Sequence, residues 1–313
     1  MNIELALDAR ATLAEAPFWE PRSKTLYWVD IERGELHLFS PATGVDRSIA
    51  LGQMVGTVVP RRQGGAVVAL HHGFALLELE TETLTPLADP NQGDDDLRFN
   101  DGKCDPAGRF WAGTISLARA EGTSALFRLD PPHAAADRTS SPEDARPTTD
   151  GANLHWPVHR MLDGLSNSNG LAWSLDSRTM YHIDSPTFQV TAMDFDVDSG
   201  TIDNRRVVIE VDPKLGKPDG MTIDAEGMLW IARFRGGCVQ RWDPAEGKLL
   251  QQIDLPVSNV TACAFGGDEL DELYVTTARA GLDEQQLAAQ PAAGGIYRLR
   301  PGVGGVALPL FAG

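Results

Sequence analysis

The sequence is poor in cysteine, in basic residues and in long apolar runs. Cysteine occurs three times, at Cys104, Cys238 and Cys263, and never as a CxxC pair. An odd number of distant thiols in apolar segments argues against a disulfide framework. It predicts reduced, buried cysteines, as in a cytoplasmic protein. Lys and Arg number 27 against 44 Asp and Glu, a net charge of −17. So acidic a surface repels phosphate backbones and anionic lipid, so neither nucleic acid nor membrane is an expected partner. No apolar run approaches the roughly 20 residues of a membrane span. The opening MNIELALDAR lacks the basic-then-apolar plan of a signal peptide. HExxH, GxSxG and phosphate-cradling glycine loops are missing too. The seven His residues are scattered, and His71-His72 in VVALHHGFALLEL reads as a turn rather than a ligand pair. Helical signal is scarce. Its best candidate, Asp283 to Gln290, reads as a loop turn at most.

What is present repeats. A turn followed by a Tyr-, Trp- or Val-rich strand begins at Glu20 (EPRSKTLYW), Pro60 (PRRQGGAVV), Asp105 (DPAGRFW), Ser174 (SLDSRTMY), Asp224 (DAEGMLW) and Gly266 (GGDELDELY). Short apolar runs precede these turns. Most units then add a strand ending in a polar turn, such as LHLFSPATG or VQRWDPAEG. Turn residues at short intervals between apolar segments indicate antiparallel β-structure. A period of about 40 to 50 residues, with about four strands per unit, is the mark of a propeller blade. The chain therefore reads as all-β: one six-bladed β-propeller spanning residues 1–313, with four-stranded antiparallel blades. Residues 131–157, rich in Pro, Ala, Thr and Asp, read as a loop inserted between the third and fourth blades, a candidate lid anchored by Trp156. Residues 2–8 and 305–311 are the candidate strands that close the ring. A monomer or homodimer is expected.

Counting five residues back from each turn gives Glu15, Val55, Asn100, Asn169, Asp219 and Thr261. In a propeller, equivalent positions on the inner strands ring the axis. Five of the six carry oxygen, and two are carboxylates. Converging carboxylates repel unless a cation lies between them. Oxygen ligands without Cys or His suit Ca²⁺, Mg²⁺ or Mn²⁺, and Zn²⁺ also accepts carboxylate oxygen.

The segments carrying these residues are AEAPFWEP, RFNDGKCDPAGRFWAGT, SNGLAWSLDSRTMYHID, KPDGMTIDAEGMLWIA and CAFGG with the later PAAGGIYRL. Together they resemble the family of senescence marker protein/regucalcin, gluconolactonases and luciferin-regenerating enzyme. The resemblance implies a six-bladed propeller and metal-dependent hydrolysis of a small sugar lactone. It implies one divalent metal on Glu15, Asn169 and Asp219, with Arg98 and Asn100 contacting substrate or metal-bound water. Asp219 is then the candidate general base. Some relatives carry an acidic substrate contact just beyond the WAGT-like segment. Here the nearest acid, Glu121, comes three places late, so their substrate preference does not carry over. Asp101, Glu121 and Asp184 are further candidates for lining or supporting the pocket. Two other functions compete: organophosphate or aryl-ester hydrolysis on the same metal, and a non-catalytic calcium-binding regulatory propeller.

Overall fold

Each repeated turn is the first hairpin of a four-stranded sheet. The computed structural model describes residues 2–134 and 154–313. Six antiparallel sheets follow one another, with inner strands Ala14–Glu20, Val55–Pro60, Leu97–Cys104, Ser168–Trp173, Lys217–Ile223 and Val260–Gly266. Each inner strand touches the next around the circle, and the sixth touches the first. The ring is closed, and the fold is a six-bladed β-propeller.

The repeated turn has a specific job in the third and fifth blades. Asp105 and Asp224 are fully buried at the start of their turns. One carboxylate oxygen of Asp224 accepts from the backbone of Glu226 and Met228; the other accepts from Trp230 Nε1 and Arg241 Nε. Asp105 does the same with Ala107, Arg109 and Trp111. One carboxylate thus ties the turn to the aromatic of the next strand, which explains the Asp-x-x-Gly-x-x-Trp spacing. In the first blade Glu20 accepts from Arg22 and Ser23 instead.

Ring closure joins the two ends of the chain in one blade, but the C-terminal partner is not 305–311. Residues Ile3–Leu7 form the outer strand of the sixth blade, pairing with Ile296–Leu299. Residues 305–311 join no blade. They cross the turn end of the ring, where Gly305 bridges Asp224 and Phe311 bridges Arg61. Pro309 has no N–H to give a ladder, whereas Phe311 is fully buried against Phe110. A second expectation also changes. Glu284–Ala289 is an α-helix, begun by an Asp283–Gln286 capping box that satisfies its first N–H groups.

The insertion does not leave from the face the lid reading requires. Leu129 and Val158, which flank it, pair at the turn end of the third blade. Trp156 stacks on Phe311 at 6.1 Å, on that same end. The bulk of the insertion, 135–153, lies outside the described residues. The three cysteines are free and buried. His71 and His72 form a turn, their rings stacked at 4.2 Å. No helix among the described residues is long and apolar enough to cross a membrane.

Candidate metal centre and active site

Inner strands that simply alternated would point only every second side chain at the axis. All six break alternation at the same place. Pairing shifts between Glu15 and Phe18, Val55 and Thr57, Phe99 and Gly102, Ser168 and Leu171, Pro218 and Met221, and Val260 and Ala262. Such bulges re-aim a side chain, and here each falls at the ring position. Space beside them is tight: a Cβ on Gly170 would sit 2.6 Å from Met221 Cβ, and one on Gly220 would sit 2.4 Å from Ala262 Cβ. Small residues after the ring position let neighbouring inner strands approach closely. In the first blade that residue is Ala16, held at φ 48°, a strained conformation for alanine. Its N–H donates to Glu15 Oε2 at 3.0 Å.

The ring positions then divide. Val55 offers no ligand. Thr261 is committed to blade closure, donating to Ala14 O at 2.6 Å. Asn100 is engaged at both ends: Nδ2 donates to Asn167 Oδ1 and Ser168 O, and Oδ1 accepts from Arg98 Nη1 at 2.9 Å. Asn100 therefore holds Arg98 in place and lines the pocket beside it. Glu15, Asn169 and Asp219 remain, and all three are buried. Asn169 Nδ2 donates to Asp219 Oδ1 and to Ser185 Oγ. Asn169 Oδ1 is buried with no partner among the described residues.

Electrostatics mark the same three residues. Burial holds the Glu15 carboxyl well above the usual range, and the charges of Asp219 and Asp101 add to it. Asp219 is pushed up to about 8, again first by burial, while its bond from Asn169 opposes the shift. Burial also raises Asp101, whose Oδ1 accepts from Gly102 N and whose Oδ2 has no partner among the described residues. An orphaned amide oxygen beside two carboxylates that hold protons tightly is a donor set suited to a hard divalent cation. Among the described residues no three His, Cys, Asp or Glu side chains gather as a metal cluster; the set is two carboxylates and an amide.

Glu15, Asn169 and Asp219 lie in a pocket of about 740 Å³, lined also by Arg98, Asn100 and Glu121. Burial, with help from nearby Arg119, lowers Arg98 to about 10, so it remains charged at neutral pH. Asp184 does not line this pocket. Its carboxylate accepts from the backbone of Ser166 and Asn167, fixing the segment that leads into Asn169. Asp30 grips Thr12 and Leu13 ahead of Glu15 in the same way. Ser168 and His182 meet at 2.9 Å, a pair the sequence did not announce. Both are fully buried, His182 Nδ1 has no partner among the described residues, and burial drops its pKa to about 3. With no carboxylate completing it, the pair packs two strands together and does not form a nucleophilic triad.

Sequence reading missed Asn167, Ser185 and the cations Arg119, Lys214, Lys217 and Arg235, all of which line the pocket. Lys217 opens the fifth inner strand and the other cations come from loops of two blades, with no spacing that links them. Replacing Asn100 with alanine should release Arg98 and cut lactone turnover by roughly tenfold or more, the scale of a lost positioning contact. Cation affinity, measured by calorimetry, should hold, and a matching loss of affinity would remove Asn100 from this role.

Fold and cleft together define a six-bladed propeller with an axial pocket lined by carboxylates and amides, and comparison with known proteins gives its family. The chain belongs to the SMP-30/Gluconolactonase/LRE-like family, whose model matches residues 13–279. It is 38% identical to regucalcin of Xenopus laevis, over 100% of this chain and 99% of that protein. It is 36% identical to YvrE of Bacillus subtilis, provisionally named a sugar lactone lactonase, over 100% and 99% of the two chains. A solved structure of a calcium-binding protein, regucalcin from Agrobacterium tumefaciens, superposes with a TM-score of 0.87 at 26% identity, covering 98% of this chain and 96% of that one.

Proposed function

We propose that the protein hydrolyses sugar lactones to the open sugar acids, using one divalent cation held by Glu15, Asn169 and Asp219. Asn169 Oδ1, unpartnered among the described residues and buried beside Asp219 in a pocket that also presents Glu15 and Arg98, carries this reading. The cation, when bound, polarises the ester carbonyl and acidifies water. The chain supplies the rest. Asp219 accepts the proton of the attacking water as the hydroxyl adds to the lactone carbonyl. Arg98, fixed by Asn100 and by Phe99 O, donates to the ring hydroxyls and sets the angle of approach. The proton returns to the ring oxygen as the C–O bond breaks, leaving a carboxylic acid and a free hydroxyl. Two of the three relatives above bear on this directly: YvrE is provisionally named a sugar lactone lactonase, and the Agrobacterium regucalcin is named a calcium-binding protein.

The test is acid release from a panel of aldonolactones and one phosphotriester, first with EDTA, then with Ca²⁺, Mg²⁺, Mn²⁺ or Zn²⁺ restored. Lactone opening that vanishes with EDTA and returns with a cation is the expected result. A preference for the triester would shift the assignment to organophosphate hydrolysis. No turnover with any cation would make the protein a binding propeller.

A further inference from the structure

The pocket carries more positive charge than a neutral sugar ring needs. Five cations line it, Arg98, Arg119, Lys214, Lys217 and Arg235, against three carboxylates, Glu15, Glu121 and Asp219. This excess sits on a chain whose net charge is −17. A bound divalent ion would widen it. Asp101 lies beneath the pocket and Glu32 acts on Arg98 from outside, but neither lines the wall. None of Arg119, Lys214, Lys217 and Arg235 is ion-paired with a carboxylate among the described residues. All four are exposed.

Their placement is not diffuse. Lys214 sits in the short 3-10 turn Pro213–Leu215, just ahead of the inner strand that bears Asp219. Arg235 lies in the next loop of that blade, between Leu229–Phe234 and Cys238–Asp243. Arg119 comes from the third blade, after Phe110–Ser116. Three loops from two blades thus bring cations to one mouth. Like charges gathered without partners repel, and they stay solvated until an anion arrives. Neutral hydroxyls are served by Arg98 and the amide and carboxylate groups deeper in the pocket and gain little from a further exposed rim of cations.

We propose that the lactone taken by this protein bears a second anionic group (a carboxylate or phosphate) on the part of the ring away from the scissile ester, held by Arg119, Lys214 and Arg235. The proposal rests on the lactonase reading and narrows its substrate class. It also gives the product at least two negative charges, and the oxidation that forms such a lactone is then one that acts on a sugar already carrying the acid group.

The experiment compares kcat/KM, at one cation, for a neutral aldonolactone, an aldarolactone with a terminal carboxylate and a terminally phosphorylated aldonolactone. Either anionic lactone should exceed the neutral one by about tenfold or more, and its advantage should shrink several-fold from low to physiological salt, because the rim is exposed to screening. The carboxylate and phosphate arms tell the two anions apart. In K214E/R235E the advantage should fall by about tenfold, mainly through KM, with a far smaller change for the neutral lactone. Calorimetry of the metal-free protein with the open-chain aldarate should show binding that the same variant weakens. Equal or better turnover of the neutral lactone, without salt dependence, overturns this proposal and leaves the lactonase assignment standing. No turnover of any lactone overturns both.

Discussion

Asp219→Ala should lower kcat for lactone opening by at least about 10³-fold, since it removes the base and a cation ligand at once. Two readouts separate the losses. Calorimetry should show weaker cation binding, and saturating cation should not restore the rate. Asp219→Asn keeps an oxygen at the site but cannot take a proton, so it should bind cation better than the alanine variant while staying as slow. Full activity of Asp219→Ala at saturating cation would end the assignment. A pH dependence follows from the same carboxyl. Burial raises its folded-state pKa to about 8, against about 3.9 for an unperturbed Asp. The stability it contributes is present below about pH 4 and is lost as pH rises through about 8. Metal-free protein should therefore melt at progressively lower temperature across that window, and saturating cation should flatten the trend. Because cation must displace that proton, apparent affinity should climb over the same range.

Asp224→Ala should be the more damaging change for the fold. Its carboxylate is fully buried and holds two backbone N–H groups, Trp230 Nε1 and Arg241. Removing it leaves three buried donors unpaired and Arg241 with only its exposed partner Glu226, at a cost of about 3–5 kcal/mol. At roughly 2–4 °C per kcal/mol for a large domain, the melting temperature should fall by about 10 °C. Cation affinity should change little, because the turn lies at the end of the ring away from the pocket. An unaltered melting curve would show that the repeated turn aspartate is ornamental.

Those two aspartates show how differently fold and site are written in the chain. Asp224 belongs to a motif that recurs as Asp105, so its meaning is visible from one stretch of seven residues. A blade is a local object: hairpin-linked strands with a turn carboxylate tying each hairpin. Repetition therefore disclosed the propeller and the register at which side chains face the axis. It misassigned residues 305–311 to the closing blade, because which C-terminal segment meets Ile3–Leu7 is decided by contact between the two ends of the chain and leaves no local trace. It failed likewise for the side from which the insertion emerges, which depends on strand direction within the third blade.

The sequence by itself determined six blades, the ring of Glu15, Asn100, Asn169, Asp219 and Thr261, and the acidic net charge of the chain, because each follows from periodicity or composition. Only the tertiary structure decided which ring members keep a free oxygen. Thr261 spends its hydroxyl on the neighbouring blade and Asn100 its amide on Arg98, whereas Asn169 is left with an unpartnered carbonyl. It also gathered the cations of three unrelated loops at the mouth. Hydrogen-bond partners and loop proximity are set by packing between blades far apart in the chain, and no spacing along the chain encodes them.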